Sequence, residues 1–332
     1  MGRREIAANN RKQLAKVAYL YYIEGKSQAE VAKELGIYRT TISRMLTRAR
    51  EKGVVTIEIH EFDTDLFHLE HYVKEKYNLE NIEIVSSVAS SDKSLEEMMA
   101  NAGAAMIRGE LKNHSNVGIS WGKTLSNVVA KMIPRQMKNV HFYPLAGGPS
   151  HINARYHVNT LMYELMHKFH GECSFINATI VQESKDLALG IRSSKYFEEI
   201  IDNWERLDLA IVGIGGRVDK DNRQWLDMLT DEDFKRMNQS GAVGEICCRF
   251  LDAQGREIAD DVVDRTIAIS LAELGKVPRS IAIAYGDNKV EAMLAVLRQG
   301  YITHLVTDYR TILQVLELDG DRSFSSDPDI TL

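Results

Sequence analysis

Apolar residues in the first fifty positions recur at helical spacing. Leu14, Val17, Ala18, Tyr21 and Tyr22 fall at i, i+3, i+4, i+7 and i+8, which predicts a core-facing helix over residues 13–22. Gly25 is placed to end it. Ser27, with Glu30 three residues on, reads as a capping box that opens a second helix over 28–35. That helix turns Val31, Ala32 and Leu35 inward and Ala29 and Lys33 outward. Gly36 stops it after two turns, and a third helix over 39–52 directs Ile42, Met45, Leu46 and Ala49 to the same core. Two short helices joined at a glycine, with small Ala32 where they must touch, read as a helix-turn-helix. Residues 53–59 then read as a turn and a strand, the wing or exit strand of such a unit.

Further along, the period changes. Residues 64–77 read as a short linker helix carrying Leu66, Leu69, Tyr72 and Val73. Near-continuous apolar runs follow at 82–85, 117–120, 141–145, 209–214, 281–285 and 304–307, with helical stretches at 94–111, 124–133, 156–169, 291–299 and 309–316. Alternating strands and helices, with strands too apolar to face water, predict a mostly parallel sheet covered on both faces. The expected fold is therefore an N-terminal all-α, winged-helix-like helix-turn-helix domain followed by a C-terminal α/β domain. The expected boundaries are 1–60, a linker helix over 61–80, the α/β domain over 81–318, and a polar, frayed tail over 319–332.

Length agrees with this division, since 332 residues exceed what one core usually organises. Three cysteines without CxxC spacing (Cys173, Cys247, Cys248) argue for a reduced, cytoplasmic setting and against a zinc cluster. Neither a membrane span nor a secretory leader is visible, and no motif asks for a cofactor or a metal. A net charge of −6 speaks against a nucleic-acid partner until it is divided. Met1 to Gly53 holds 12 Lys/Arg against 5 Asp/Glu, a net +7, while the other 279 residues hold 29 against 42, a net −13. A local charge decides what a surface approaches. The third helix presents Tyr38, Arg39, Thr40, Thr41, Ser43, Arg44 and Arg48, the mixture of guanidinium and hydroxyl groups that reads a major groove. Lys12, Arg48 and Arg50 suit phosphates. The alternative is a three-helix protein-interaction module with a solvated basic face.

Several strands of the body empty into glycine turns. Val117-Gly118-Ile119-Ser120 runs into Trp121, Gly122, Lys123 and Thr124 at the start of a helix, where backbone N–H groups bind phosphate or hydroxyl oxygens. Gly147-Gly148, Gly213 with Gly215 and Gly216, and Gly286-Asp287-Asn288-Lys289 follow other strands. Four such turns at corresponding strand ends point to a small anionic or polyhydroxylated ligand. His167 and His170 lack further metal ligands, so a surface or packing role suits them better. His151 and His157 fit a loop as well as a ligand. Asp260, Asp261 and Asp264 look like an acidic cluster but read more simply as a solvated strand-entry turn. There is no phosphate-binding Walker motif and no GxSxG elbow.

From about Arg11 to Leu316 the chain resembles the SorC family (SorC/DeoR type) of bacterial sugar-responsive transcriptional regulators. The motifs that carry the resemblance are Ser27-Gln28-Ala29-Glu30-Val31-Ala32 and Thr41-Ile42-Ser43-Arg44, then Gly118-Ile119-Ser120-Trp121-Gly122, Gly147-Gly148, Gly213-Ile214-Gly215, Gly241-Ala242-Val243-Gly244, and Gly286 with Lys289. The resemblance implies a body related to sugar-phosphate isomerases that binds a sugar or sugar phosphate without turnover. It implies too a homo-oligomer, a tetramer in preference to a dimer, on paired half-sites of double-stranded operator DNA. It places the effector against Ser120, Trp121, Gly122, Lys123 and Thr124, with Gly147, Gly148, Gly215 and Lys289 lining the same pocket. Two departures stand out: Ala146 occupies a position where some relatives carry a Schiff-base lysine, and Glu245 replaces the more usual aspartate. The rival expectation is a sugar-phosphate isomerase with an appended helical domain, whose general base would come from Asp260, Asp261 or Asp264.

Overall fold

The computed structural model describes residues 11–56, 64–86, 91–149, 153–218, 225 and 228–324. It divides into two compact units, 1–63 and 64–332.

In the first unit, α1 (Arg11–Ala18) runs into a π turn, Tyr19–Ile23, followed by α2 (Gln28–Leu35) and α3 (Arg39–Glu51). The first helix departs from the expected stripe at this π turn: Leu20 is buried and Tyr22 lies on the surface. Ser27 caps α2 as the sequence suggests, accepting from the Glu30 amide while the Glu30 carboxylate accepts from the Ser27 amide at 2.8 Å. Gly36 takes the left-handed conformation (φ 65°) that a side chain would resist, and α3 starts three residues on. Leu14, Val17, Val31, Ile42, Met45, Leu46 and Ala49 form one small core, with Leu35, Ile37, Val54 and Val55 packed on its edge. Residues 53–56 form a turn and bend; the remainder of the expected exit strand lies outside the described residues.

The second unit opens with α4 (Thr64–Lys76), β1 (Asn81–Val85), α5 (Asp92–Glu110), β2 (Asn116–Ile119), α6 (Lys123–Lys131), β3 (His141–Pro144), α7 (Val158–Phe169) and β4 (Glu172–Cys173). It continues with α8 (Lys185–Arg192), α9 (Lys195–Trp204), β5 (Leu209–Gly215), α10 (Asp231–Gln239), β6 (Gly244–Ile246), β7 (Arg249–Leu251), α11 (Asp261–Arg265) and α12 (Leu271–Leu274). It closes with β8 (Ser280–Ile283), α13 (Val290–Gln299), β9 (His304–Asp308) and α14 (Tyr309–Leu318). The six expected strands are all present. Short β4 and the β6–β7 hairpin were not legible as strands, and α8 to α12 were not anticipated.

Seven strands lie parallel in the order β1-β9-β8-β5-β2-β3-β4, and the antiparallel β6–β7 hairpin continues from the end of β5. Alternate strand residues feed two cores. Val117, Ile119, Leu209, Ile211, Ile281 and Ile283 meet α5, α6 and α7 on one face. Ile82, Ile84, Ala210, Val212 and Ala282 meet α4, α9, α13 and α14 on the other. From β2 the chain winds outward through β3 and β4, then returns beside β2 as β5 and winds the other way through β8 and β9. The direction therefore reverses between β2 and β5, which makes the carboxyl ends of these two strands the topological switch point, the crevice position at which sheets of this kind take their ligands. Over it lies a third apolar cluster, in which Ile180, Trp225, Phe234, Phe250 and Val262 pack together with Trp121 at its margin.

Two expectations at the periphery are corrected. The helix over 64–76, expected as a linker, buries Leu69 and Val73 in the body core beside β1. The tail is docked as far as Phe324: Asp319 accepts from Tyr77 at 3.0 Å, Asp321 pairs with Lys76 at 2.8 Å and with the Tyr72 hydroxyl, and Phe324 packs on the Tyr72 ring. Its polar composition gave no hint that each acid has a specific partner. Residues 325–332 lie outside the described ones.

Candidate functional site

The first unit offers a basic face. α3 turns its apolar side to the core and leaves Arg39, Thr40, Ser43, Arg44 and Arg48 exposed, with Thr41 half-buried and Tyr38 82% exposed at the helix N-cap. Arg39, Arg44, Arg48 and Arg50 make no ion pair among the described residues. Lys26, by contrast, is held at 2.7 Å by both Glu24 and Glu34, which push its ammonium well above the usual lysine range and leave it little attraction for a phosphate. All seven residues expected to contact DNA thus lie on one helix and its cap.

In the body, the residues expected at the ligand collect at the crevice, though with unequal freedom. Ser120 follows β2 directly, is 5% exposed, and its amide donates to the Ile211 carbonyl at 3.0 Å. Gly122 (φ 118°) caps α6 with no side-chain acceptor, so Lys123 and Thr124 begin the helix with open first-turn amides. The Lys123 ammonium pairs with Glu96 on α5. Trp121 turns inward: its indole N–H donates to Cys248 Sγ at 3.2 Å and its ring meets Trp225 edge-on. Its polar atom is therefore spent within the protein.

The two glycine pairs after β3 and β5 are required by packing. A Cβ on Gly147 would meet the carbonyls of Ala178 and Thr179, and one on Gly148 would overlap the His157 imidazole. That ring is itself fixed, since His157 Nδ1 accepts from the Asn159 amide at 3.1 Å and caps α7; burial lowers its pKa and keeps it neutral. Gly215 gives room for the Glu245 carboxylate, which a side chain there would strike. His151 lies outside the described residues.

Opposite β2 and β5 stands the hairpin. Its two-residue loop is Cys247-Cys248, with both residues left-handed (φ 50° and 64°) in a conformation usually left to Asn-Gly. Glu245 compensates: its Oε2 accepts from the Cys248 amide at 2.8 Å. Burial pushes the Glu245 carboxyl up and the Lys289 ammonium down, while each charge favours ionisation of the other. Burial also pushes both thiols up. Cys247 packs into the core under the sheet and Cys248 into the cluster above the crevice, so the two sulfurs point apart. Glu245 and Lys289 are the acid and base that this crevice presents, one from the hairpin and one from the turn before α13. The sequence signal for Glu245 was the glycine-flanked run ahead of it.

The acidic cluster is placed elsewhere and is paired. Asp260 caps α11 through the Val262 amide, Asp261 pairs with Arg265 at 2.7 Å and Asp264 with Lys185 at 2.7 Å. These carboxylates belong to a helix N-terminus, not a strand entry. His167 stacks edge-on against Tyr163 and His170 ends α7 in the left-handed region. Among the described residues, no cluster of three metal-ligating side chains is found, and no helix is long and apolar enough to cross a membrane.

A basic helix-turn-helix joined to a parallel α/β body, with glycine turns at its switch point, defines a DNA-binding transcriptional regulator with a small-ligand domain. Residues 63–317 match the family model described as "Putative sugar-binding domain", and residues 12–52 match sigma-70 region 4, itself a helix-turn-helix. The chain belongs to the SorC family of sugar-responsive transcriptional regulators. It is 36% identical to the sorbitol operon regulator of Klebsiella pneumoniae over 90% of this chain and 95% of that one, and 30% identical to the deoxyribonucleoside regulator of Bacillus subtilis over 89% and 94%. Among solved structures, a transcriptional regulator from Streptococcus pneumoniae is 53% identical with a TM-score of 0.76, over 79% of this chain and all of that one. The full-length Klebsiella sorbitol operon regulator reaches a TM-score of 0.72 at 34% identity, over 92% and 99%.

Proposed function

We propose that this protein reads operator DNA through α3 and releases or tightens that grip when a sugar phosphate, or the free sugar, enters the crevice between β2 and β5. The observation that carries this reading is the meeting of three chemistries at one switch point: open amides at the start of α6, the Lys289 ammonium and the Glu245 carboxylate. Amides and ammonium suit a phosphate or ring oxygens, and a carboxylate accepts from sugar hydroxyls. Gly122, Thr124 and Lys289 would line the ligand. Ser120 and Gly215 shape the floor, Gly147 and Gly148 admit the adjoining backbone, and Trp121 supports the wall from behind. Lys123 would reach the anion by leaving Glu96.

On the DNA side, Arg39, Thr41, Ser43 and Arg44 would meet base edges, Tyr38 and Thr40 the groove walls, and Lys12, Arg48 and Arg50 phosphates. A homo-oligomer, a tetramer on paired half-sites, supplies the geometry by which a change in the body moves the recognition helices out of register; the effector shifts that balance only by its differential affinity for the two states. The boundaries that follow are a DNA-binding domain over 1–60 and an effector and assembly domain beyond it, in a cytoplasmic protein without turnover. In support of this last point, the carboxylates of 260, 261 and 264, on which the enzyme reading relied, are engaged in a helix cap and ion pairs.

The test couples two titrations. Melting of the full chain is followed with sorbitol, sorbitol 6-phosphate and 2-deoxyribose 5-phosphate, sugars suggested by the named relatives, and any compound that raises the midpoint is added to a complex with promoter DNA. Stabilisation by at least one of them together with a change in DNA affinity is expected. Conversion of a sugar phosphate into its isomer would instead establish the enzyme reading.

A further inference from the structure

Lys289 owes its place to a turn that makes few contacts of its own. Gly286 (φ 102°) leads from β8 into the single 3-10 turn Asp287–Lys289, and α13 follows at once. Three contacts fix this turn. Asp287 pairs with Arg310 at 2.7 Å, but both side chains are exposed and such pairs contribute little. The Asn288 carbonyl sits against Gly216 so closely that no Cβ fits between them. The third contact is buried: the Gly286 amide donates to Thr311 Oγ1 at 2.8 Å. Thr311 is 1% exposed and Asp308 4%. Asp308 ends β9 and caps α14, its Oδ1 accepting from the Thr311 amide at 3.0 Å and its Oδ2 from the Thr311 hydroxyl. With its proton given to Asp308, that hydroxyl presents lone pairs to the Gly286 amide and to no other donor among the described residues. A carboxylate acceptor polarises the hydroxyl and strengthens the bond it receives.

We propose that Thr311, oriented by Asp308, is a positioning residue for Lys289: its hydroxyl holds the Gly286 amide and so sets the turn that aims the Lys289 ammonium into the crevice beside Glu245. Neither Thr311 nor Asp308 reaches the crevice. Their task is to satisfy an amide that the glycine's unusual backbone leaves without a strand partner, and to keep a part-buried lysine from swinging to solvent, where its charge would be better hydrated. The proposal rests on the crevice being the effector site only for its consequence in binding; the aim of Lys289 is measurable without any ligand.

The full-length protein is reductively methylated with 13C-formaldehyde, and the Lys289 resonance is identified by its loss in Lys289→Arg. In the parent protein it should titrate below the other lysines, because burial disfavours its charge. Thr311→Val, nearly isosteric, should move this resonance and bring its titration toward that of the exposed lysines, while Thr311→Ser restores the parent behaviour. Should Thr311→Val fail to fold, Thr311→Ala removes the same hydroxyl without the added methyl. An unchanged Lys289 resonance and titration in the folded hydroxyl-less variant overturns the proposal. In a second arm, whichever of sorbitol 6-phosphate, 2-deoxyribose 5-phosphate or inorganic phosphate stabilises the parent should bind about ten-fold more weakly to Thr311→Val, the loss expected for one well-placed hydrogen bond, and normally to Thr311→Ser. If none of the three binds the parent, the reading of the crevice fails while the resonance still decides the role of Thr311.

Discussion

In the first unit, Arg39, Arg44, Arg48 and Arg50 stand on the surface with no ion-pair partner among the described residues; in the second, Arg249 and Arg265 are 5% and 8% exposed and bonded on several sides. Arg265 alone joins Asp233, Asp261 and the Gln182 carbonyl, tying α10 and α11 to the wall of the crevice. The contrast follows from task. A cation meant for DNA must keep its charge unspent, and solvent bears the cost of holding it until a phosphate replaces the counterions. A cation that supports a pocket must be satisfied within the fold, because an unpaired buried charge is costly.

Breaking the inner network should cost most. Arg265→Ala removes bonds to Asp233, Asp261 and the Gln182 carbonyl at once, leaving the Asp233 carboxylate, 1% exposed, to Arg236 and Thr230, and should destabilise the body by about 3–5 kcal/mol in chemical denaturation. The gap has a pH signature. Burial alone would raise the Asp233 pKa, but its bonds to Thr230 and Arg265 hold it below the usual range. That contribution is full above the unfolded carboxylate value of about 3.9 and is lost as pH falls through the folded one, so parent and variant should converge in acid. Equal stability of the two at neutral pH would dissolve the contrast between the units.

Ile42→Ala tests the separation of the units from the other side. Ile42 is fully buried in the small core of the first unit, and its truncation should cost about 2–5 kcal/mol there. DNA binding should disappear while the second unit still melts as before. Next in size is Arg44→Ala, expected to weaken binding to a specific promoter site by about 1–3 kcal/mol, the value of one bidentate base contact. Arg50→Ala should instead lower the slope of log affinity against log salt by about 1 at every sequence, as loss of a phosphate contact does. Fluorescence anisotropy over a salt series separates the two; identical behaviour of both variants would deny α3 its base-reading role.

The smallest effect concerns His157. Its depressed pKa means that the unfolded chain takes up a proton first, so stability is full above about pH 6.5 and declines as pH falls below it. His157→Asn keeps a capping acceptor without a titrating ring and should flatten the decline in melting temperature between pH 7 and 5.5 by roughly 2–4 °C if the ring contributes about 1 kcal/mol. An unchanged slope would place the acid sensitivity in His141 or His304, which are also buried and lowered.

What could be read from the chain tracks how local the determinants are. The capping box at Ser27 and Glu30, the turn at Gly36 and the stripe of α3 depend on residues a few positions apart, and they appear as read. The six long strands are carried by their own apolar runs. The crevice was legible only as glycines after strands, because Gly215 and Gly147 report that something comes close without saying what. The partners, Glu245 and the Ala178–Thr179 backbone, lie about thirty residues away along the chain. The hairpin loop was hidden for a chemical reason: Cys247-Cys248 carries none of the Asn or Gly that marks a left-handed pair, and its strain is relieved by a carboxylate earlier in the strand. The docked tail was missed because polar segments are read as solvated, although Asp319 and Asp321 each have partners some 240 residues back. Leu20 was missed because a π turn breaks the 3.6-residue period on which the stripe depends.

α14 is fastened at both ends. Thr311 near its start grips the turn that bears Lys289, and Asp319 and Asp321 just past its end grip Tyr72 and Lys76 on α4, the first helix after the DNA-binding unit, and Tyr77 just beyond it. Ten residues of helix make a rod of about 15 Å that bends more readily than it stretches. The closing stretch of this chain is built as a tie rod, anchored at the first helix of its own body.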